Sequence, residues 1–222
     1  MSAPDVIDQL AGIEPGSHLH AIRDRRREAR ENAQKSYLAL FEPEVPGNVT
    51  ALERHAVAAF VAGLHRQPAV EAFYAEALSR NDSAGISDAI AAEARRGAVE
   101  GPYGRYPDGP LSVEDRVGPD YRVGPDNETL LGPRLSAALA HAHLLVFHPR
   151  DASAAALNRL IEAGWSTPDI VTLSQLVSFL AFQIRVVAGL RVLAATPEVA
   201  RDPAVKPARE PVFTGVLASG TI

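Results

Sequence analysis

Three imidazoles fall within eight residues in the segment HAHLLVFH, at His141, His143 and His148. Such a cluster could hold a transition metal or move protons near neutral pH. A metal needs ligands that converge. On a helix, residues two apart point about 200° away from each other, so His141 and His143 do not easily share an ion. His141 and His148 share a face but lie two turns apart, and the H-x-x-x-H spacing of helical metal sites is missing. No metal is expected. The chain has no cysteine, which removes thiolate ligands, disulfides and any thiol nucleophile. Arg185, in or beside an apolar helical stripe, must be paired or exposed. It reads as half of an interhelical salt bridge or as the anchor of a substrate carboxylate. There is no Gly-rich phosphate loop, nucleophile elbow or nucleic-acid motif, and no cofactor is expected.

Helices must position these groups, because no segment shows strand alternation. Ser17 is placed to cap a helix running to about Ala39, stopped by Pro43 and Pro46. Its charge run, RDRRREAR, reads as a solvated face with i,i+4 pairs; an anion or partner patch is the alternative. Thr50 and Glu53 form a T-x-x-E capping box before a helix with Leu52, Val57, Phe60, Val61 and Leu64 on its apolar face. Pro68 can open the next helix, through Val70, Phe73, Ala77 and Leu78 to about Arg80. Ser87 reads as the cap of a short helix ending near Arg96.

The segment Gly97 to Pro133 holds seven glycines and six prolines, and RVGPD occurs in it twice, at 116–120 and 122–126. Regular structure is not expected there. A connection of this length reads as a surface loop that could cover a site or reach a neighbouring subunit. Helical pattern resumes at Arg134 and runs to His148, before Pro149. Asp151 can cap the following helix, and Gly164 can end it. Ser166-Thr167-Pro168-Asp169 is a strong start signal. The helix behind it carries Ile170, Leu173, Val177, Leu180, Ile184 and Val187 at spacings of three and four, one buried stripe. The tail from 194 to 222 is Pro-rich and expected to be extended.

The bulk numbers fit a soluble helical protein. The 222 residues are 46% hydrophobic and 22% charged, with aromatics at only 6%. A net charge of −5 provides no global basic field for nucleic acid. The N-terminus lacks the apolar run of a secretory signal. Gln175, Gln183, Arg185 and Arg191 interrupt the most apolar stretch, which argues against a membrane span. A cytoplasmic location, with neither nucleic acid nor membrane as partner, is expected.

The segment TALERHAVAAFVAGLHRQPAVEAFYAEAL, read from Thr50, has the layout of the active-site helix pair of the alkylhydroperoxidase D-like, carboxymuconolactone decarboxylase-related family. The stretch Leu135 to Leu193 resembles the C-terminal half of that family's peroxidase-related branch, where an LxxAGxSxxEI turn precedes a helix with an Arg near its end. The matching residues are Leu160, Ala163, Gly164, Ser166, Asp169, Ile170 and Arg185. The two blocks cover under half of the chain. The resemblance implies an all-α alkylhydroperoxidase D-like domain over 50–193, preceded by an N-terminal segment and helix at 1–49, and a homo-oligomer. It also implies a site, although every chemical group in it is replaced. Position by position, the family's proton-relay Glu falls on His55, its two cysteines on Gln67 and Val70, and its His on Tyr74. Thiol peroxidase chemistry is excluded.

Three functions follow as expectations. The chain is a peroxidase-related family member without thiol chemistry, a pseudoenzyme or the oligomeric partner of a Cys-containing relative. Alternatively it is a cofactor-independent decarboxylase or isomerase acting on a small carboxylate, as the family's thiol-free branch implies, with His55 or Tyr74 moving the proton. Or it is a small-acid binding protein with Arg185 as anchor. His55, His65 and Tyr74 are the polar groups expected to line the pocket; the ordinary alternative is a satisfied core histidine and a surface-reaching tyrosine.

Overall fold

The computed structural model describes residues 4–82 and 84–196. Among them are nine α-helices, two short 3-10 turns and no strand, so the chain is all-α. The tail expected from 194 onward lies, beyond 196, outside the described residues.

Three helices replace the single N-terminal one that the sequence suggests. Helix α1, Val6–Ala11, is capped by Asp5, whose side chain accepts from the Ile7 and Asp8 amides, and ends at Gly12. Ser17 does cap, but α2 is only His18–Asp24, and α3 restarts at Arg27–Phe41. Part of the charge run is solvated as expected, with Arg27 and Glu31 paired at 2.8 Å on the surface. Arg23 and Arg30 instead turn inward and clamp Asp5 and Asp8 at the start of α1. That clamp holds Val6, Ile7 and Leu10 in the core.

Helix α4, Ala51–Leu64, begins at the Thr50–Glu53 capping box and is the central element. It packs on α5, Pro68–Ser79, on α6, Ser87–Gly97, and on the two long helices that follow. Arg54 is buried in α4, yet each of its three side-chain nitrogens donates: it bonds the carbonyls of Leu40 at 2.6 Å, Pro46 at 2.8 Å and Val49 at 3.0 Å. It thereby ties the α3–α4 connection to the core without an acidic partner. Ser87 does not cap α6; Asp82 accepts from its amide and hydroxyl, each at 2.8 Å.

Helix α7, Pro125–Phe147, starts nine residues earlier than the apolar pattern suggests, because a break at Gly132, with φ 71° and Pro133 behind it, divides it. Helix α8 is Ala154–Glu162 and α9 is Thr167–Ala195. All six stripe residues of α9, from Ile170 to Val187, are buried. Its Ser166–Asp169 capping box forms as expected. Helices α7 and α9 have the length and hydropathy of membrane spans; here their most apolar windows are 50% and 39% buried in the bundle. Trp165 and Arg134 lock the α8–α9 corner to α7. The indole donates to the Arg134 carbonyl at 2.9 Å while the Arg134 guanidinium lies 4.1 Å above its ring and bonds Glu53 at 2.6 Å.

Candidate functional site

Two of the four positions that the resemblance singles out, His55 and Tyr74, pack against one ring. Phe41 of α3 lies 5.1 Å from Tyr74 and 5.4 Å from His55, centroid to centroid. Tyr74 is fully buried, and its hydroxyl donates to Gln183 Oε1 at 2.6 Å. Burial pushes its phenol well above the usual range. His55 is half-buried, and its Nδ1 sits 2.7 Å from the carbonyl of Ala51, one turn back on its own helix. Burial holds the His55 pKa down. Each residue thus has a local partner. Val70 is buried in the core, and Gln67 precedes α5 without making a capping bond. Arg185 is exposed and bonds the Ala181 carbonyl of its own helix at 2.9 Å. His65 ends α4; burial and then the nearby Arg185 lower its pKa, and its Nε2 is buried without a partner among the described residues.

A larger group of titratable side chains borders an opening elsewhere. A cavity of about 1050 Å³ separates the Gly/Pro-rich segment from α7 and α8. Both RVGPD copies border it, as do His141, His143 and His148. The segment is held down rather than loose. Gly104 and Arg116 pair by two backbone hydrogen bonds, and Tyr121 and Val123 are buried. Glu93 on α6 is the anchor. Its buried carboxylate accepts from Tyr121 Oη at 2.8 Å, the Gly124 amide at 3.1 Å, Asn127 Nδ2 at 2.8 Å and Arg96 Nε at 3.0 Å. Burial opposes the charge, but Arg96, Asn127, Tyr121 and Gly124 outweigh it and hold the Glu93 pKa at about 2.

Inside this frame the imidazoles have distinct settings. His143 Nε2 is 3.0 Å from the Gly97 carbonyl, so that nitrogen carries the proton. Its ring stacks on Tyr121 at 4.6 Å, and burial lowers its pKa to about 4. His141 Nε2 meets Ser174 Oγ at 3.1 Å; burial, then Arg159, lower its pKa. His148 Nδ1 is 3.1 Å from Asp151 Oδ2. With the carboxylate accepting, Nδ1 bears a proton, and Nε2 is buried without a partner among the described residues. A row of rings runs from Tyr121 through His143 and His148 to Tyr103, with Arg96 over one end ring at 4.9 Å and Arg116 over the other at 5.3 Å.

Sequence reasoning assigns Asp151 to the cap of α8. Ser153 takes that role, accepting from the Ala156 amide, and frees Asp151 for His148 and the Arg105 amide. Its one visible signal was its place three residues after His148.

Five buried polar atoms lack a partner among the described residues, and three belong to cavity-lining side chains: Ser136 Oγ, His141 Nδ1 and His148 Nε2. Five arginines face three carboxylates on the cavity wall. Arg96 is committed to Glu93, and Arg122 lies 3.7 Å from Asp120. Among the described residues Arg105, Arg116 and Arg159 pair with no carboxylate. No group of three side chains there could hold a metal ion among the described residues. The wall can therefore neutralise an anion and donate to it, and it carries His148 held by Asp151.

No family model matches the sequence, and no curated protein matches it.

Proposed function

We propose that this chain is an alkylhydroperoxidase D-like protein without thiol chemistry, and that the cavity under the 104–124 segment binds a small organic acid. The observation that carries the binding reading is the coincidence, on one wall, of three unpartnered buried polar atoms with arginines that lack acidic partners. Buried polar groups are normally satisfied, so three unpartnered atoms on side chains that border one cavity favour a ligand that completes them. The arginines favour a carboxylate. His148, oriented by Asp151, is the group best set to move a proton. This keeps the expected acid/base chemistry on a carboxylate but transfers it from His55 and Tyr74 to a different helix.

In that chemistry the C–H bond next to an activated carbonyl breaks. The proton goes to His148 Nε2 and the electron pair to the carbonyl oxygen, where Arg105 or Arg116 balances the charge. Calorimetric titration with butanoate tests the binding, and Arg116→Met is expected to weaken it about tenfold or more, the scale of one lost charge-assisted bond. Deuterium wash-in from D2O at the activated carbon of a 3-oxo acid tests the chemistry. Exchange above background that His148→Gln abolishes supports it; butanoate binding without such exchange leaves a binding protein.

A homo-oligomer is the second part of the reading. Val171, Phe182 and Leu193 recur every eleven residues on α9 and are exposed, as is Val192. An apolar stripe of that kind favours a partner helix. Light scattering on the purified chain tests it, with a monomer overturning it.

A further inference from the structure

We propose that two copies of this chain pair along α9 in antiparallel register, about a two-fold axis between Phe182 and Arg185, so that each Arg185 lies on the partner's Phe182. This rests on the homo-oligomer reading and gives it a surface and a register. The outward residues of α9 are Val171, Gln175, Ser178, Phe182, Arg185, Gly189, Val192 and Thr196, all exposed. Their spacings alternate between four and three, the seam spacing of a two-helix coiled coil. The seam is about 38 Å long by the helical rise. A helix face turned to water normally carries charge. This one has a single charged residue, Arg185, while Val171, Phe182 and Val192 keep 51%, 47% and 68% of their surface open. Gln175, Ser178 and Arg185 break the face for lipid, which favours a second copy over a membrane.

Charge sets the orientation. In a parallel pair each seam residue meets its own copy, and Arg185 would face the partner's Arg185. No acid of α9 could relieve that contact, because Asp169 is the helix's one acidic residue and is spent on its capping box. In the antiparallel pair Arg185 meets an aromatic face instead, the partner's Phe182, and does so twice in the dimer. Ser178 meets the partner's Gly189, the two smallest residues of the seam. A Cβ added at Gly189 would touch nothing within 4 Å in its own chain, so that side is open to a neighbour. Gln175 and Val171 meet the partner's Val192 and the partner's Thr196. All eight positions are then used. Moving the axis one layer toward the N-terminus leaves Val192 and Thr196 without a layer.

The chain has no cysteine, so introduced thiols report without background. On mild oxidation of the full chain, Ser178→Cys combined with Gly189→Cys should give a covalent dimer on a non-reducing gel, since a disulfide needs Cα atoms about 4–7 Å apart. Either substitution alone should not, because the two copies of one position lie about 16 Å apart along the axis. Both positions are exposed, so folding should survive. Arg185→Ala should weaken the dimer about tenfold by light scattering, the loss of two cation–π contacts. Crosslinking by Ser178→Cys alone, a dimer that the double variant does not crosslink, or a dimer indifferent to Arg185→Ala overturns the proposal and leaves the oligomer standing. A monomer at every concentration removes both, and one that sediments with phosphatidylcholine vesicles gives the face to a membrane.

Discussion

Gly118 lies so close to His148 that a methyl group on it would sit 2.7 Å from the imidazole Cε1, and 2.3 Å from Cγ of Tyr103. Its backbone is not in the left-handed region, so the demand is for space rather than for conformation. The first RVGPD copy thus covers the carbon next to the free nitrogen of His148. Gly118→Ala must push the segment outward or displace the ring. It is expected to cost about 1–3 kcal/mol in urea unfolding, the usual scale of overpacking, and to weaken butanoate binding. An unchanged midpoint together with unchanged binding would show that the segment moves freely there.

Glu93 should control whether the segment stays closed. Glu93→Gln keeps the shape but leaves Arg96 without its counter-charge and cannot accept from all four donors. A loss of about 2–4 kcal/mol is expected. The diagnostic readout is limited proteolysis. First cuts should move into residues 104–124 in the variant, whereas in the parent chain this segment should resist as long as the helices do.

The histidines set a pH dependence with a definite sign. His143 falls from 6.5 to about 4 on folding, so it stays neutral in the native state while the unfolded chain takes up a proton. The unfolded state then binds more protons between those values, and stability falls as pH drops from about 6.5 to about 4. His55, His65 and His141, also lowered, act in the same direction. Glu93 adds its loss only below 4.5, on the way to 2. Thermal midpoints at pH 7, 6, 5 and 4.5 should decline steadily. His143→Gln should start lower and decline less. A flat profile in the parent chain contradicts these assignments.

Tyr74→Phe separates the position suggested by the family resemblance from the cavity. Removing the hydroxyl leaves the Gln183 amide without its one partner, since Gln183 Nε2 is already unpaired. A destabilisation of about 1–3 kcal/mol is expected, the cost of stranding a buried polar group. Acid binding should not change. A loss of binding with folding intact would return the site to Tyr74.

Much of the fold is legible in the sequence because its signals are local. The α9 stripe and the Thr50 and Ser166 capping boxes each need only a few consecutive residues. Helix α1 escapes because six residues are too few to display a period, and its stability comes from Arg23 and Arg30, more than a dozen residues away. The cavity escapes for a related reason. Glu93 gathers Tyr121, Gly124 and Asn127 across 28 to 34 residues, and no spacing rule links them. The histidine cluster is visible as a cluster, and the divergence of His141 from His143 follows from helix geometry. The partner of His148 does not, because an Asp before a helix looks like a cap.

The two RVGPD copies are identical in sequence and different in employment. The first lays Gly118 over His148; the second supplies Gly124 to Glu93 and opens α7 at Pro125. Excising residues 116–121 would leave a seamless chain, because Asp115 would run directly into the surviving copy. That copy could reach the imidazole or the carboxylate, not both. The duplication therefore separates two tasks that one pentapeptide cannot perform at once, closing the cavity and starting the helix that forms its floor.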